Sequence, residues 1–288
     1  MTFIIKTDVA PNVTNLPKFE FVKADLRSVL TNGSLCLVTA DELKVFGGTS
    51  MLNLIVGANL AESIFRQNYS SSDVNVNIWS SANSASDIDT YVQMTAVENG
   101  LKFTTSGNPA TAKLGLIKFM SESNMRAVLT TAKEIYFDIW ITPLQLPIML
   151  GNTSKTWTEC AIAKISNGLS PTQNTDTRIT ANYVNLQTTD TKWYSKSDAT
   201  LDQQYTDGSY VLNEPKFMAA SQTLAAYSQA NNVNANVVGQ IHASVLEGGY
   251  MSQDFILHSI YAEDLTKSGR TANEVAAIRK LQFDQYFS

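Results

Sequence analysis

Histidine and cysteine are scarce, with two of each in 288 residues. His242 and His258 each stand alone in an apolar, strand-like stretch. A lone imidazole there is packed and hydrogen-bonded more often than it is a base or a ligand. Cys36 and Cys160 lie far apart and match no zinc spacing. They read as two small buried hydrophobes, with a disulfide between them left open. Charge is sparse as well, at 16% of residues against a norm of about 25%. The formal net charge is -5, which excludes a broad electrostatic footprint for nucleic acid but not a local site. No stretch approaches the about twenty apolar residues of a membrane span. Residues 1–6 lack the basic region and long apolar run of a signal peptide. The expectation is a chain made in the cytoplasm without membrane insertion. There is no Gly-x-Ser-x-Gly element and no phosphate-cradling glycine loop. The expectation is that the protein is not an enzyme.

What is present is a β pattern. Many short extended runs recur at about ten-residue spacing with Asn-Gly and Gly-rich turns, which predicts an antiparallel sandwich or barrel. The clearest alternation is residues 134–142, with Ile135, Phe137, Ile139 and Ile141 on one face and Tyr136, Asp138, Trp140 and Thr142 on the other. Residues 91–97 and 101–105 flank Asn99–Gly100 and predict a hairpin with a type I′ turn. Residues 178–187 and 191–195 predict a second hairpin. Residues 215–230 carry Phe217, Met218, Ser221, Leu224 and Tyr227 and suit a helix better than a strand. The first seventy residues mix periods and hold Pro11 and Pro17. They are expected to form a small α/β section for attachment or oligomerisation, residues 1–70, ahead of a β domain at 71–288.

The closing segment is the most ordered reading in the chain. Residues 253–262 alternate with apolar groups on both faces, as expected of a central strand, with Phe255, Leu257 and Tyr261 together on one face. Thr271 and Glu274 stand in capping-box spacing, and Val275, Ile278 and Leu281 recur behind them at helical spacing. Between strand and helix lie Glu263, Asp264 and Arg270, with Arg270 the natural partner of the acids. Residues 261–275, a strand ending in Glu-Asp-Leu-Thr followed by a Ser-Gly-Arg-Thr turn into a helix, resemble the closing segment of concanavalin A-like (laminin G-like) jelly rolls of phage and prophage virions. The resemblance covers about fifteen residues, and folds of this kind share architecture more than chemistry. It implies a mainly β fold, an antiparallel concanavalin A-like sandwich with a C-terminal helix. It also implies a tail-associated virion protein that self-associates and meets other virion proteins or a host-surface glycan.

Candidate sites are few. Glu134 and Asp138 share a strand face, but no third acid completes a glycosidase frame, and two solvated positions on an outer face is the plainer reading. Sugar binding needs aromatic faces beside amides and acids. Trp193, Tyr194, Tyr205 and Tyr210 lie near Asp198, Asp202 and Asp207 in a polar stretch, and this is the candidate glycan site. No cofactor is called for. Calcium is the metal that such jelly rolls hold in loops, and the resemblance points to Asp87 and Asp89, or to Asp198, Asp202 and Asp207, although none follows an EF-hand pattern. The alternative function is a stand-alone carbohydrate-binding or glycan-cleaving module.

Overall fold

The computed structural model describes residues 25–43, 77–79, 92–105, 115–118, 128, 131–145, 148–151, 157–166, 177–184, 191–196, 201–209, 211–223, 235–242, 249–252 and 254–288, with side chains for 25–43, 93–104, 128, 131–145, 201–209, 211–223 and 254–288. In chain order the strands begin with β1 (Ser34–Val38), β2 (Asn77–Trp79), β3 (Val92–Val97), β4 (Gly100–Thr105) and β5 (Gly115–Lys118). They continue with β6 (Glu134–Pro143), β7 (Ile148–Gly151), β8 (Trp157–Ser166), β9 (Thr177–Val184) and β10 (Thr191–Lys196). The last are β11 (Asp207–Ser209), β12 (Lys216–Thr223), β13 (Ala235–His242), β14 (Gly249–Ser252) and β15 (Phe255–Asp264). The helices are α1 (Ala40–Leu43), α2 (Gln203–Thr206), α3 (Leu265–Ser268) and α4 (Ala272–Tyr286), with a 3-10 turn at Leu26–Val29. The protein is mainly β, its described strand pairs are antiparallel, and it closes with a helix.

The first sheet runs β12-β6-β15-β4-β3, and β1 joins β15 beside β4. The second runs β11-β10-β9-β8-β13-β5-β2, and β14 pairs with β7. As its alternation predicts, β15 is central: β6 flanks one edge along its length, while β4 and β1 share the other edge. A bulge changes its face assignment. Leu257 lies opposite Ile141 and Ser259 opposite Trp140, so His258 is an extra residue and the alternation flips there. Phe255 and Leu257 therefore share a face with Ile260 and Ala262, and Tyr261 turns to the opposite face with Ser259 and Glu263. An unbroken period of two cannot anticipate that inversion.

Both faces of β6 and β15 are buried. On one face α4 lies over Tyr136, Trp140, Phe217, Ala219 and Tyr261, packing Ala272, Val275, Ala276 and Phe283 against them. Trp140 is the centre of this layer, edge-on to Phe283 at 5.6 Å. On the other face Phe103 stacks on Phe255 at 4.8 Å among Ile139, Ile141 and Leu257. The helix meets the sheet through Val275 and Ile278, as its spacing predicts, but not through Leu281. Leu281 is 59% exposed, while Arg279 and Gln282 point inward.

Two further expectations change. Residues 216–223 form β12 rather than a helix, because they pair with β6 residue for residue from Lys216–Ile141 to Thr223–Glu134. Pairing with an already buried strand overrides a weak helical pattern. The β3–β4 hairpin forms, but its turn is Glu98–Asn99, and Gly100 pairs with Val97 as the first residue of β4. Gly100 takes φ +148, and a Cβ there would overlap the Leu257 carbonyl oxygen. The residue is glycine because β15 crosses too close, not because a type I′ turn demands it. The β9–β10 hairpin forms as expected. Within the expected N-terminal section, residues 25–43 are built into the first sheet through β1. The rest of 1–70 lies outside the described residues, and with it the boundary near residue 70.

Candidate functional site

The polar chemistry of the described core is concentrated where α3 and α4 meet the first sheet. Asp138 stands on β6 between Tyr136 and Trp140, fully buried rather than on a solvated outer face. Its partner comes from α4. Arg279 Nε and one terminal nitrogen donate to the two Asp138 oxygens at 2.9–3.2 Å, and the same terminal nitrogen also donates to Ser259 at 2.9 Å. The other terminal nitrogen donates to Gln282 at 3.2 Å. The guanidinium lies 4.3 Å from the Trp140 ring centroid, so charge pairing and ring stacking coincide. Tyr136 donates to Asp138 at 3.1 Å. Burial pushes the Asp138 carboxyl up, against the pull of Arg279 and of the Tyr136 and Trp140 donors. The Trp140 indole nitrogen is near enough to favour that carboxylate yet forms no well-aligned hydrogen bond.

A second network ties the strand end to the turn. Glu263 is fully buried, and Arg270 pairs with it, Nε donating to Oε1 at 3.0 Å and a terminal nitrogen to Oε2. That nitrogen also donates to the Val29 carbonyl at 2.9 Å, which anchors the 3-10 turn. Tyr261 donates to Glu263 at 2.6 Å and lies 3.0 Å from Ser34 on β1. Asp264 caps α3 by accepting from the Thr266 and Lys267 amides at 2.9 and 3.2 Å. Thr271 and Glu274 form the expected capping box of α4. Arg270 is thus the partner of Glu263, as its position suggested, whereas the Arg279–Asp138 pair had no local signal: 141 residues separate them.

His258 is a packed histidine. In the bulge its Nδ1 donates to the Asn99 carbonyl, and its Nε2 lies 2.8 Å from the Thr142 hydroxyl. Burial lowers its pKa to about 4, so the ring is neutral near pH 7. Cys36 is a free, buried thiol, pushed up by burial. Among the described residues no group of His, Cys, Asp and Glu is arranged to hold a metal ion.

The expected glycan residues scatter. Trp193 and Tyr194 are successive residues of β10 and fall on opposite faces of the second sheet, so they cannot line one site from the same side. Trp193 lies opposite Ala181 and Gly208, in a row that continues to Cys160 and His242. Tyr194 lies opposite Thr180 and Asp207. Tyr205, on α2, packs edge-on to Phe217 at 6.1 Å and is half-buried against the core of the helix layer. Asp202 exchanges hydrogen bonds with Asn273 of α4 at 2.8 and 3.1 Å, and Asp207 accepts from Gln203 at 3.2 Å. Asp198, Tyr210, Asp87 and Asp89 lie outside the described residues.

The two faces of the second sheet differ in kind. Ile78, Ile117, Val238, Ala163 and Ile179 share the Trp193 face through successive register pairs. Thr180, Asn182, Tyr194, Asp207 and Ser209 share the other. On the described strands the Trp193 face also carries Tyr183, Thr158, Thr191 and Asn236 but no carboxylate, whereas the Tyr194 face carries an aromatic beside hydroxyl, amide and carboxylate groups. This combination of residue types can meet a sugar, and the register of three strands is needed to see it.

No family model and no curated protein matches the sequence. Among solved structures the chain is similar to Trypanosoma rangeli sialidase in complex with sialic acid, with TM-score 0.43 and 12% identity over 89% of this chain and 34% of that one. It is also similar to the binding domain of Botulinum Neurotoxin DC in complex with SialylT, with TM-score 0.33 and 11% identity over 75% of this chain and 48% of that one. The chain therefore spans about a third and about half of the lengths of these two proteins.

Proposed function

We propose that the chain is a non-enzymatic, tail-associated protein of a phage or prophage virion. Its concanavalin A-like β-sandwich serves adhesion to a host-surface glycan or contact with neighbouring subunits. One observation carries the non-enzymatic part. The acids of the closing unit, Asp138, Glu263 and Asp264, are fully buried and engaged with Arg279, Arg270 and the α3 amides. A glycoside hydrolase needs two carboxylates facing each other across a sugar ring. The Glu134–Asp138 pair is not available for that, because Asp138 serves the helix layer. The virion part is supported by the resemblance of residues 261–275. The glycan part is supported by the mixed polar and aromatic residues on the Tyr194 face.

The test has three arms. Light scattering of the purified chain is expected to show a defined homo-oligomer. Antibody against it is expected to label phage particles at the tail. On a glycan array it is expected to bind, and Tyr194→Ala to weaken that binding. A monomer that binds glycan but labels no particle would favour a stand-alone carbohydrate-binding module. Release of reducing sugar, abolished by Glu134→Gln, would overturn the non-enzymatic assignment.

A further inference from the structure

We infer that the Tyr194 face of the second sheet takes an acidic glycan, through a row of basic residues set side by side by strand register. This inference rests on the glycan-binding reading above and names the class of glycan. On β5, β13, β8, β9 and β10 a single register row reads Lys118, Val237, Lys164, Arg178 and Lys196, continuing to Asn77 on β2. Lys164, Arg178 and Lys196 are direct cross-strand neighbours. Like charges directly opposite one another destabilise a sheet. A protein of net charge -5 with only 21 Lys and Arg nevertheless places four of them in this row. A row of like charges calls for counter-charge, and one arriving from outside turns the cost of the row into affinity.

The rest of the face fits a sugar better than a nucleic acid. Lys192 lies on it in the row Glu159, Asn182, Lys192 and Ser209, and the intervening row holds Thr180, Tyr194 and Asp207. The two acids, Glu159 and Asp207, lie outside the basic row. Strands are about 4.8 Å apart, so Lys118 and Lys196 stand about 19 Å from one another across the sheet. A linear polysaccharide with regularly spaced carboxylates or sulfates matches such a row, while Thr, Asn, Ser and Tyr beside it suit hydroxyl groups and ring faces. A nucleic-acid surface would call for a wider excess of positive charge than this chain carries.

The full chain should be tested against immobilised heparin, hyaluronan, alginate, neutral dextran and a single-stranded DNA oligonucleotide. Binding to the acidic polysaccharides and not to dextran is expected, and it should weaken as salt rises. The double substitution Lys164→Gln with Arg178→Gln is expected to lower the affinity by about tenfold or more. Lys280→Gln, on α4 beside Asp284, should leave it unchanged. If the first double variant does not fold, Lys118→Gln with Lys196→Gln at the row's ends takes its place, alongside the salt titration of the unaltered chain. Binding to dextran with no salt dependence would overturn the inference and leave the glycan reading standing. Binding to none of the polysaccharides would overturn both. Equal or tighter binding of the oligonucleotide would overturn the assignment to glycan.

Discussion

Arg279 is the residue on which the helix layer turns. A guanidinium buried without its carboxylate is far costlier than the pair is favourable, because the lone charge keeps its desolvation penalty and loses its partner. Asp138→Asn and Arg279→Met are each expected to lose about 3–5 kcal/mol in urea unfolding. The double variant should lose less than the sum, which a double-mutant cycle measures. Sequence reading placed Asp138 on the correct strand and named its neighbours Tyr136 and Trp140. It could not see the Arg, because the pair closes across 141 residues and Arg279 interrupts what looks like an ordinary amphipathic stripe. His258 carries a second prediction. Folding holds it neutral, with a pKa of about 4 against 6.5 for the free ring. Between those values the unfolded chain binds the extra proton, so stability is full above about pH 6.5 and falls as the pH drops towards 4. The loss attributable to this group is at most about 3 kcal/mol. Asp138 and Glu42 are both pushed up by burial and tilt the curve the opposite way. The readout is therefore the difference in unfolding midpoint between pH 5 and pH 7 for the unaltered chain, minus that for His258→Gln. A null difference would show that the imidazole does not contribute.

Among the elements, two glycines and a cap decide how the closing unit docks. Gly33 hands its carbonyl to the Asp264 amide at 2.8 Å, and a Cβ there would overlap the Asp264 carbonyl and press on Ser268. Gly100 has the same problem against Leu257, with an unfavourable φ in addition. Gly33→Ala and Gly100→Ala are each expected to cost at least about 1–3 kcal/mol, seen as a lowered melting temperature. Thr271→Ala, which removes one half of the capping box, should cost about 1 kcal/mol. The capping box and the central strand were legible because both are local: a Thr–Glu spacing and a period of two. The β12 strand was not, because its state is set by eight residues of pairing with β6, and its own composition leans the other way. The bulge at His258 hides for a similar reason. It is a relation between two strands, and the inversion it causes sent Tyr261 to the helix face, where it joins Glu263 and Arg270.

At the scale of the whole molecule, the central strands β6 and β15 of the first sheet are buried on both faces, with the helix layer covering the face that carries Tyr136, Trp140, Phe217 and Tyr261. Deleting residues 265–288 would uncover that face at a stroke. The truncated chain is expected to aggregate on size-exclusion chromatography rather than to lose only a tail. The candidate site was legible only as a composition, aromatics near acids, because its geometry depends on which residues of β8, β9 and β10 stand abreast. Tyr194 and Trp193 looked like one feature in the sequence and are two in the sheet. β15 is central, and each strand it pairs with, β1, β4 and β6, is synthesised before it. Until β15 emerges from the ribosome, those strands carry open edges with no native neighbour, so the nascent chain must wait with adhesive borders exposed. Yield in a heterologous host should accordingly respond to slower translation, lower temperature and added chaperones more than the finished protein's equilibrium stability alone would lead one to expect.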